Sequence, residues 1–261
     1  MRTINQSAEI ITEPNAARRV ELAARVCYKS EGRITKDSAL PFVRRLIEMG
    51  HLSPLEHGRV TIKEPALMDR IGSSLDVYGL SNRFTCHGNG VYSLNLRDGL
   101  ALGYSLDHLL KNPQCPDDYL TVRFITDRAI ANELVRHRVF SFSQESTRYV
   151  RHRGIKFVMP VGGSTIKAGK RMRMDAWLDA MERAEKAYRA MLKAGASPQM
   201  ARSVLPLSTK TELIMSGLYA HWEDMFSIRT AKAAHPQMRA LMQILIDLDE
   251  FPRNKITVGK A

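Results

Sequence analysis

Hydrophobic positions along the chain recur mainly with helical spacing, and a few short runs alternate between apolar and polar residues. The alternating runs predict strands, because successive side chains of a strand point to opposite faces. Helical spacing predicts helices at 16–28, 38–49, 66–75, 98–111, 128–139, 174–193, 219–228 and 235–249, and the alternating runs predict strands at 7–12, 60–63, 119–126 and 210–215. These elements are compatible with a mixed α and β protein, but by themselves they do not determine a topology.

Residues at the predicted ends support several of these elements. Ser38 and Asp127 are suited to cap the helices that follow them, and Ser197-Pro198 begins a further short helix that Pro206 ends. The glycine-rich residues 86–90 lack the frame of a phosphate-binding loop, so we expect a turn there. Residues 162–170 fit either a lid over a bound nucleotide or, as we favour, a plain surface loop.

Composition places the chain among ordinary globular proteins. Its 261 residues, 44% hydrophobic and 25% charged, could form one large domain or two small ones. No run approaches the roughly 20 apolar residues of a membrane span, and the first residues lack the apolar run of a signal peptide. We therefore expect a cytoplasmic protein.

Cysteine and histidine usage argues against a metal centre. Cys27, Cys86 and Cys115 are an odd number without metal-type pairing, so we interpret them as reduced structural thiols. His51 and His57 are six residues apart and do not share a helical face. We predict no metal site and no nucleophilic cysteine.

The formal net charge of +12 raises the possibility of nucleic-acid binding. The charge is spread through the chain, however, and no nucleic-acid-binding module is recognisable. A basic surface serves small phosphate-bearing ligands equally well, so a nucleic-acid partner is disfavoured.

The densest chemistry lies in residues 136–148, here called the basic segment, which reads Arg-His-Arg-Val-Phe-Ser-Phe-Ser-Gln-Glu-Ser-Thr-Arg. Guanidinium forks pair bidentately with phosphates, and serine hydroxyls add neutral donors. This composition indicates an anion-binding site on ordered structure. The alternative is a solvated basic helix end whose arginines complement the helix dipole.

Arg136-His137-Arg138, seven further residues and then Ser146 resemble the signature of the flavin-dependent thymidylate synthase family. The resemblance extends to other blocks in the family's order: 51–57 (His-Leu-Ser-Pro-Leu-Glu-His), 201–206 (Ala-Arg-Ser-Val-Leu-Pro), 226–229 (Phe-Ser-Ile-Arg) and 235–237 (His-Pro-Gln). It covers roughly residues 35–60 and 120–250. It implies one domain over residues 1–261, with a family-atypical insert at about 65–118.

The family resemblance implies an α/β fold of the α+β type, with a central, largely antiparallel sheet flanked by helices. It also implies a homotetramer with active sites between subunits. The implied ligands are FAD, with NADPH and methylenetetrahydrofolate as co-substrates, and a small-molecule nucleotide, deoxyuridylate. The reaction would be reductive methylation to thymidylate without an active-site cysteine.

The resemblance also implies site residues. Those for deoxyuridylate are Glu133, Arg136, Gln144, Ser146, Thr147, Arg148, Arg202 and Arg229, and those for FAD and the folate face are His51, Ser53, Arg136, His137, Arg138, Gln144 and Asp224. Arg229 is the catalytic candidate, because a fixed guanidinium by the pyrimidine ring can stabilise developing negative charge.

Four positions depart from the family pattern. Leu218 and Ala220 stand where flavin-contacting asparagine and arginine are common, and Asp224 and Glu133 stand where amides are frequent. An acid accepts hydrogen bonds from an exocyclic amine. Two alternatives therefore stay open: a C5-modifying enzyme acting on another pyrimidine nucleotide such as deoxycytidylate, and a non-catalytic nucleotide- or nucleic-acid-binding relative.

Overall fold

A four-stranded antiparallel sheet forms the centre of the computed structural model, which describes residues 1–67, 84–147, 154–161 and 168–258. Its strand order is β2-β6-β9-β7, with β6 pairing β9 along its whole length. The strands are β2 (Ser7–Ile10), β6 (Tyr119–Asp127), β7 (Ser141–Gln144) and β9 (Lys210–Leu218).

Helices cover both faces of this sheet. Helix α1 (Ala16–Tyr28) packs on one face, where Ala23 and Val26 contact Ile214. The other face packs against α5 (Arg128–Leu134), α8 (Tyr219–Arg229) and α9 (Pro236–Ile246), around Trp222 and Phe226. Burial of this apolar cluster is the main source of stability that the fold offers.

A smaller antiparallel sheet, β3-β5-β4, lies beside α1 and α2, with which it shares a second apolar cluster. The remaining elements are β1 (Arg2–Ile4), α2 (Ala39–Glu48), β3 (Arg59–Lys63), β4 (Thr85–Gly88), β5 (Val91–Asn95), α3 (Leu96–Ala101), α4 (Leu106–Leu109), β8 (Lys156–Val158), α6 (Ala168–Lys193) and α7 (Pro198–Ala201). Strands β1 and β8 pair in parallel.

The expectation of a mixed α/β fold with antiparallel sheets flanked by helices is confirmed. The expected helix start at Ala16 and caps at Asp127 and Ser197 are present: Asp127 accepts from Ile130 N at 2.8 Å and Ser197 accepts from Met200 N at 3.2 Å. Ser38 precedes α2, but its hydroxyl donates to Glu21 at 2.9 Å instead of capping the helix.

Several predicted elements differ in extent from the structure: the helix predicted at 174–193 begins at 168, and the strand predicted at 210–215 runs to 218. The helix from Arg128 ends at Leu134, because the alternating aromatic and serine residues that follow pair with β9 as β7. The turn at 86–90 is the end of a hairpin whose strand β4 runs to Gly88. The helix predicted at 98–111 is divided into α3 and α4, where Gly103 adopts a φ of +88°.

Two predictions lie largely outside the described residues, namely the helix at 66–75 and the loop or lid at 162–170. Within the part of the chain that the structure describes, no helix is long and apolar enough to cross a membrane.

Candidate active site

The basic segment leaves α5 at its C-terminal end and enters the central sheet. Arg136 and Arg138 are exposed, His137 is half-buried, and Phe140 packs its ring on Trp222 with centroids 4.9 Å apart. Gly217 permits this packing, because a Cβ at that position would overlap the Phe140 ring. Core contacts therefore hold the segment at Phe140, while Arg136 and Arg138 stay on the surface beside the end of α5.

Arg229 joins the last turn of α8 to the beginning of the basic segment. Its Nη1 donates to Glu133 Oε2 at 2.9 Å, its Nη2 donates to the Glu133 carbonyl at 3.3 Å, and its Nε donates to His137 Nε2 at 2.8 Å. We call Glu133, His137 and Arg229 the arginine cluster. All guanidinium nitrogens are thus committed to two residues that lie 92 and 96 positions away in the chain.

The arginine cluster favours a neutral imidazole. Burial and the neighbouring Arg229 guanidinium both lower the pKa of His137. Since Nε2 accepts from Arg229, the remaining proton of the neutral ring lies on Nδ1. The guanidinium is consequently held in one orientation, paired with a single carboxylate and beside a neutral ring.

Strand β7, which is part of the basic segment, lies against residues 51–57. Ser141 Oγ donates to Glu56 Oε2 at 3.0 Å, and buried His57 lies between Ser143 Oγ at 3.0 Å and Ser216 Oγ at 2.7 Å. Burial, followed by the charge of Arg19, lowers the pKa of His57 to about 3. His57 is therefore a neutral structural histidine that fixes the loop against the sheet.

A cavity of about 430 Å³, here called the His51 cavity, opens at this loop. Its lining residues include Cys27, Tyr28, His51, Ser53 and Arg97. The chain that follows β7 reaches it, because Ser146 N donates to the Cys27 carbonyl at 3.0 Å. Burial raises the pKa of the Cys27 thiol, which makes it a poor nucleophile.

A second cavity, of about 490 Å³ and here called the Arg202 cavity, begins at the next residue, Thr147. Arg202 Nη1 donates to Thr147 Oγ1 at 3.4 Å. Arg128 and Asn132 of α5 line the same space. Residues 146 and 147 thus separate two cavities of the size that small-molecule sites occupy.

Sequence reasoning did not select Arg128. It directly follows strand β6, which the sequence predicts most strongly. The available signal was a cation at the end of this strand, on the way to the basic segment. Burial and the nearby Arg202 guanidinium lower the pKa of Arg128.

The remaining predicted site residues are more scattered. Gln144 is half-buried and donates to Thr211 Oγ1 at 3.2 Å, whereas Asp224 is exposed on α8. Arg148 lies outside the described residues. Among the described residues, Arg229 is not one of those that line the Arg202 cavity, and no group of His, Cys, Asp or Glu side chains is arranged to hold a metal.

A comparison with protein families shows which family the chain matches. The family described as "Thymidylate synthase complementing protein" matches residues 9–64 and 118–251. The chain belongs to this family. The matched ranges contain the arginine cluster. Of the residues given for the two cavities, they contain all but Arg97, which lies in the unmatched residues 65–117.

Curated relatives in the thymidylate synthase complementing protein family carry the name flavin-dependent thymidylate synthase. The protein from Geobacter sulfurreducens is 27% identical, over 88% of this chain and 74% of its own length. That from Mycobacterium sp. (strain JLS) is 26% identical, over 85% and 71%. The family recognised from the sequence, and with it the expectation of an enzyme, is confirmed.

Among solved structures, one similar chain is described as a UMP/dUMP methylase PolB from Streptomyces cacaoi bound with 5-Br UMP. It is 18% identical, covers 93% of this chain and 88% of its own, and aligns with a TM-score of 0.48. At this TM-score we infer nothing about the present chain from the likeness.

Proposed function

We propose that this protein catalyses the flavin-dependent reductive methylation of deoxyuridylate at C5, giving thymidylate. Methylenetetrahydrofolate would donate the carbon and NADPH would be the reductant. The observation that carries the proposal is that one family match spans both chain segments from which the arginine cluster and the two cavities are built.

The Arg202 cavity suits the nucleotide phosphate. Thr147 and Arg202 offer a hydroxyl and a guanidinium, and Ser146 and Arg148 are the adjoining candidates. Arginine and hydroxyl donors are the groups that bind phosphate oxygens most strongly in proteins. Gln144 would lie between the two ligands and contact both.

The His51 cavity has the features that a flavin and a folate need. His51 and Ser53 supply polar groups beside the aromatic face of Tyr28, and an adjoining cavity of about 720 Å³ shares Tyr28, Leu46 and His51 with it. Arg136, His137 and Arg138 would hold the flavin nucleotide, and Asp224 is a further candidate. When bound, FAD would supply the redox chemistry by which the reducing equivalents of NADPH complete the methyl group.

Arg229 would act on the pyrimidine ring by electrostatics. Glu133 and His137 hold its guanidinium in one orientation before substrate arrives. A preorganised charge of this kind stabilises the anion that forms on the ring without reorganising during the reaction. Cys27 and Cys115 are partly buried thiols whose pKa values are raised by burial, and they fit a route without a cysteine nucleophile.

Glu133 bears on the choice of base. Cytosine was considered because a carboxylate at this position could accept a hydrogen bond from its exocyclic amine. Its Oε2 instead accepts from Arg229 at 2.9 Å, so the acid already has a partner in the protein. We therefore propose uracil as the base.

We further propose a homotetramer whose active sites lie between subunits. The arginine cluster and the Arg202 cavity are separate in one chain, and the exposed Met200 and Leu207, at 62% and 61%, flank Arg202. A contiguous apolar surface at this place would be a feature of a subunit interface. Pairing the arginine cluster of one subunit with the Arg202 cavity of another would complete a site.

The test begins with the colour of the purified protein. We expect flavin absorption that NADPH bleaches, and faster bleaching with deoxyuridylate than with deoxycytidylate. Arg229→Ala should retain flavin and lose methylation by roughly 10²-fold or more, whereas Arg183→Ala, at an exposed site, should keep full turnover. A colourless protein that takes up no FAD, or full turnover in Arg229→Ala, would remove the proposal.

A further inference from the structure

Arg128 and Arg202 approach the same cavity from two directions. Arg128 begins α5, and Arg202 follows α7; both line the Arg202 cavity of about 490 Å³. The Arg128 backbone N–H donates to the carbonyls of Leu207 and Thr209 at 2.9 and 3.1 Å. This shared hydrogen bond ties the N-terminus of α5 to the chain that follows Arg202, so the backbones that carry the two arginines are held side by side.

Neither guanidinium has an acidic partner among the residues that the structure describes. Glu145, the acid whose charge acts on Arg128, is bonded instead to Lys210 at 2.8 Å. Arg202 has the 3.4 Å contact with Thr147. Arg128 Nη1 is enclosed by protein and has no hydrogen-bond partner within the described chain.

Two cations placed together with an unsatisfied N–H are unfavourable unless a ligand neutralises them. Buried polar groups in folded proteins are almost always paired, and a bound ion or ligand is one explanation of an unpaired one. The other polar lining groups are the amides of Asn132 and Gln199 and the hydroxyls of Thr147 and Ser203, and the recorded lining contains no carboxylate. Donors predominate, so the cavity is suited to an anion.

We propose that Arg128 is a second phosphate-binding guanidinium of the substrate site, acting with Arg202 on the 5′-phosphate monoester of the pyrimidine nucleotide. This inference rests on the proposed function and adds to it a residue that selects nucleotides over nucleosides. A phosphate monoester carries close to two negative charges and three acceptor oxygens, which two planar forks can share.

The test measures ligand affinity by isothermal titration of the holoenzyme and of Arg128→Met, with Arg183→Met as the matched control at an exposed arginine. Arg128→Met should weaken deoxyuridylate binding at least about tenfold and leave deoxyuridine binding unchanged, and Arg128→Lys should restore part of the loss. Equal deoxyuridylate affinity in wild type and Arg128→Met would overturn the inference.

A second arm distinguishes sources of the phosphate. Adenosine 2′,5′-bisphosphate carries the 2′-phosphate of NADPH. If Arg128→Met weakens binding of this compound and not of deoxyuridylate, the assignment to the substrate is overturned.

Inorganic phosphate separates this inference from the proposed function. If wild type binds neither deoxyuridylate nor deoxycytidylate but binds phosphate in an Arg128-dependent way, the proposed substrate fails and the anion site stands. If phosphate binds equally to Arg128→Met, or not to wild type, the anion site is overturned.

Thermal unfolding of the ligand-free protein excludes a merely structural role. Because the substitution removes a buried unpaired donor and a repulsion, Arg128→Met should melt at the same or a higher temperature than wild type. A lower melting temperature together with unchanged affinity would make Arg128 a structural residue and overturn the inference.

Discussion

The two faces of the central sheet are built from the same strands but from opposite chemistry. On one face, Leu120, Val122, Phe124, Leu213 and Met215 pack against the aromatic residues of α8 and the leucines of α9. On the other, the intervening positions include Thr121, Ser143, Glu212 and Ser216, which bond to α1 and the 51–57 loop. Alternation along each strand produces this division.

The difference separates stability from positioning. The polar face connects the 51–57 loop and the end of α1 to the sheet: Ser143 and Ser216 hold His57, and Lys29, which follows α1, reaches Glu212 at 2.5 Å. A buried polar network specifies one arrangement only when every member is satisfied. We therefore expect substitutions on the apolar face to lower stability broadly, and substitutions on the polar face to act through hydrogen bonding and pH.

The largest expected effect lies on the apolar face, at Trp222. Its side chain is fully buried and contacts the rings of Phe124, Phe140 and Phe226. Trp222→Ala should lower the free energy of unfolding by about 3–5 kcal/mol, because it removes this burial and leaves a cavity. Urea unfolding of the holoprotein measures the loss.

Ile228 provides the control on the same helix. It is 55% exposed, so Ile228→Ala should change the free energy of unfolding by less than about 0.5 kcal/mol. Similar losses for both variants would show that the apolar face does not carry the stability assigned to it.

The next effect lies on the polar face and depends on pH. The folded state keeps the pKa of His57 at about 3, below the ordinary value of 6.5. Between these values the unfolded chain binds one more proton than the folded chain, so the free energy of unfolding falls as the pH falls. From pH 7 to pH 5, wild type should lose about 2 kcal/mol more than His57→Gln.

Chemical unfolding at both pH values checks this difference. His51 is exposed, so His51→Gln should keep the pH dependence of the wild type. If His57→Gln and wild type lose stability in parallel, the buried histidine is not the pH-sensitive part of the polar face.

Sequence patterns predicted those elements whose signals are local. Helix α1 and strand β6 show their periodicity within their own residues, and the structure gives them nearly the predicted bounds. Strands β5 and β7 were missed because they are short and are stabilised by pairing with β3 and β9, far away in the chain. The apolar pattern of residues 139–142 fits a helix equally well until that partner is known.

The candidate site shows the same limit. Family resemblance selected Arg229, His137 and Glu133, but their mutual bonds span more than 90 positions and follow only from the folded chain. The serine partners of His57 were not anticipated for the same reason. Arg128 belongs to no recognised motif, and its proposed role follows from its placement beside Arg202.

Two neighbouring residues of β6 give the finest test of the comparison between the faces. Val122 points into the apolar cluster, and Thr121 accepts from Arg19 Nη1 at 3.3 Å and bonds Ser216 at 2.8 Å. Val122→Thr should cost roughly 1.5 kcal/mol, because its hydroxyl enters a face without partners. Thr121→Val should cost less than about 1 kcal/mol, because Arg19 retains Glu13 and Ser216 retains His57.

One variant replaces a methyl group by a hydroxyl and the other replaces a hydroxyl by a methyl group, at adjacent positions. The difference between their unfolding free energies therefore reports the environment and not the size of the side chain. Urea unfolding at pH 7 resolves a gap of this magnitude when the dependence on denaturant is shared. If Thr121→Val were the more damaging of the two, the hydroxyl network would contribute more to stability than the packing of the opposite face. The division of the sheet into a stabilising and a positioning face would then be wrong.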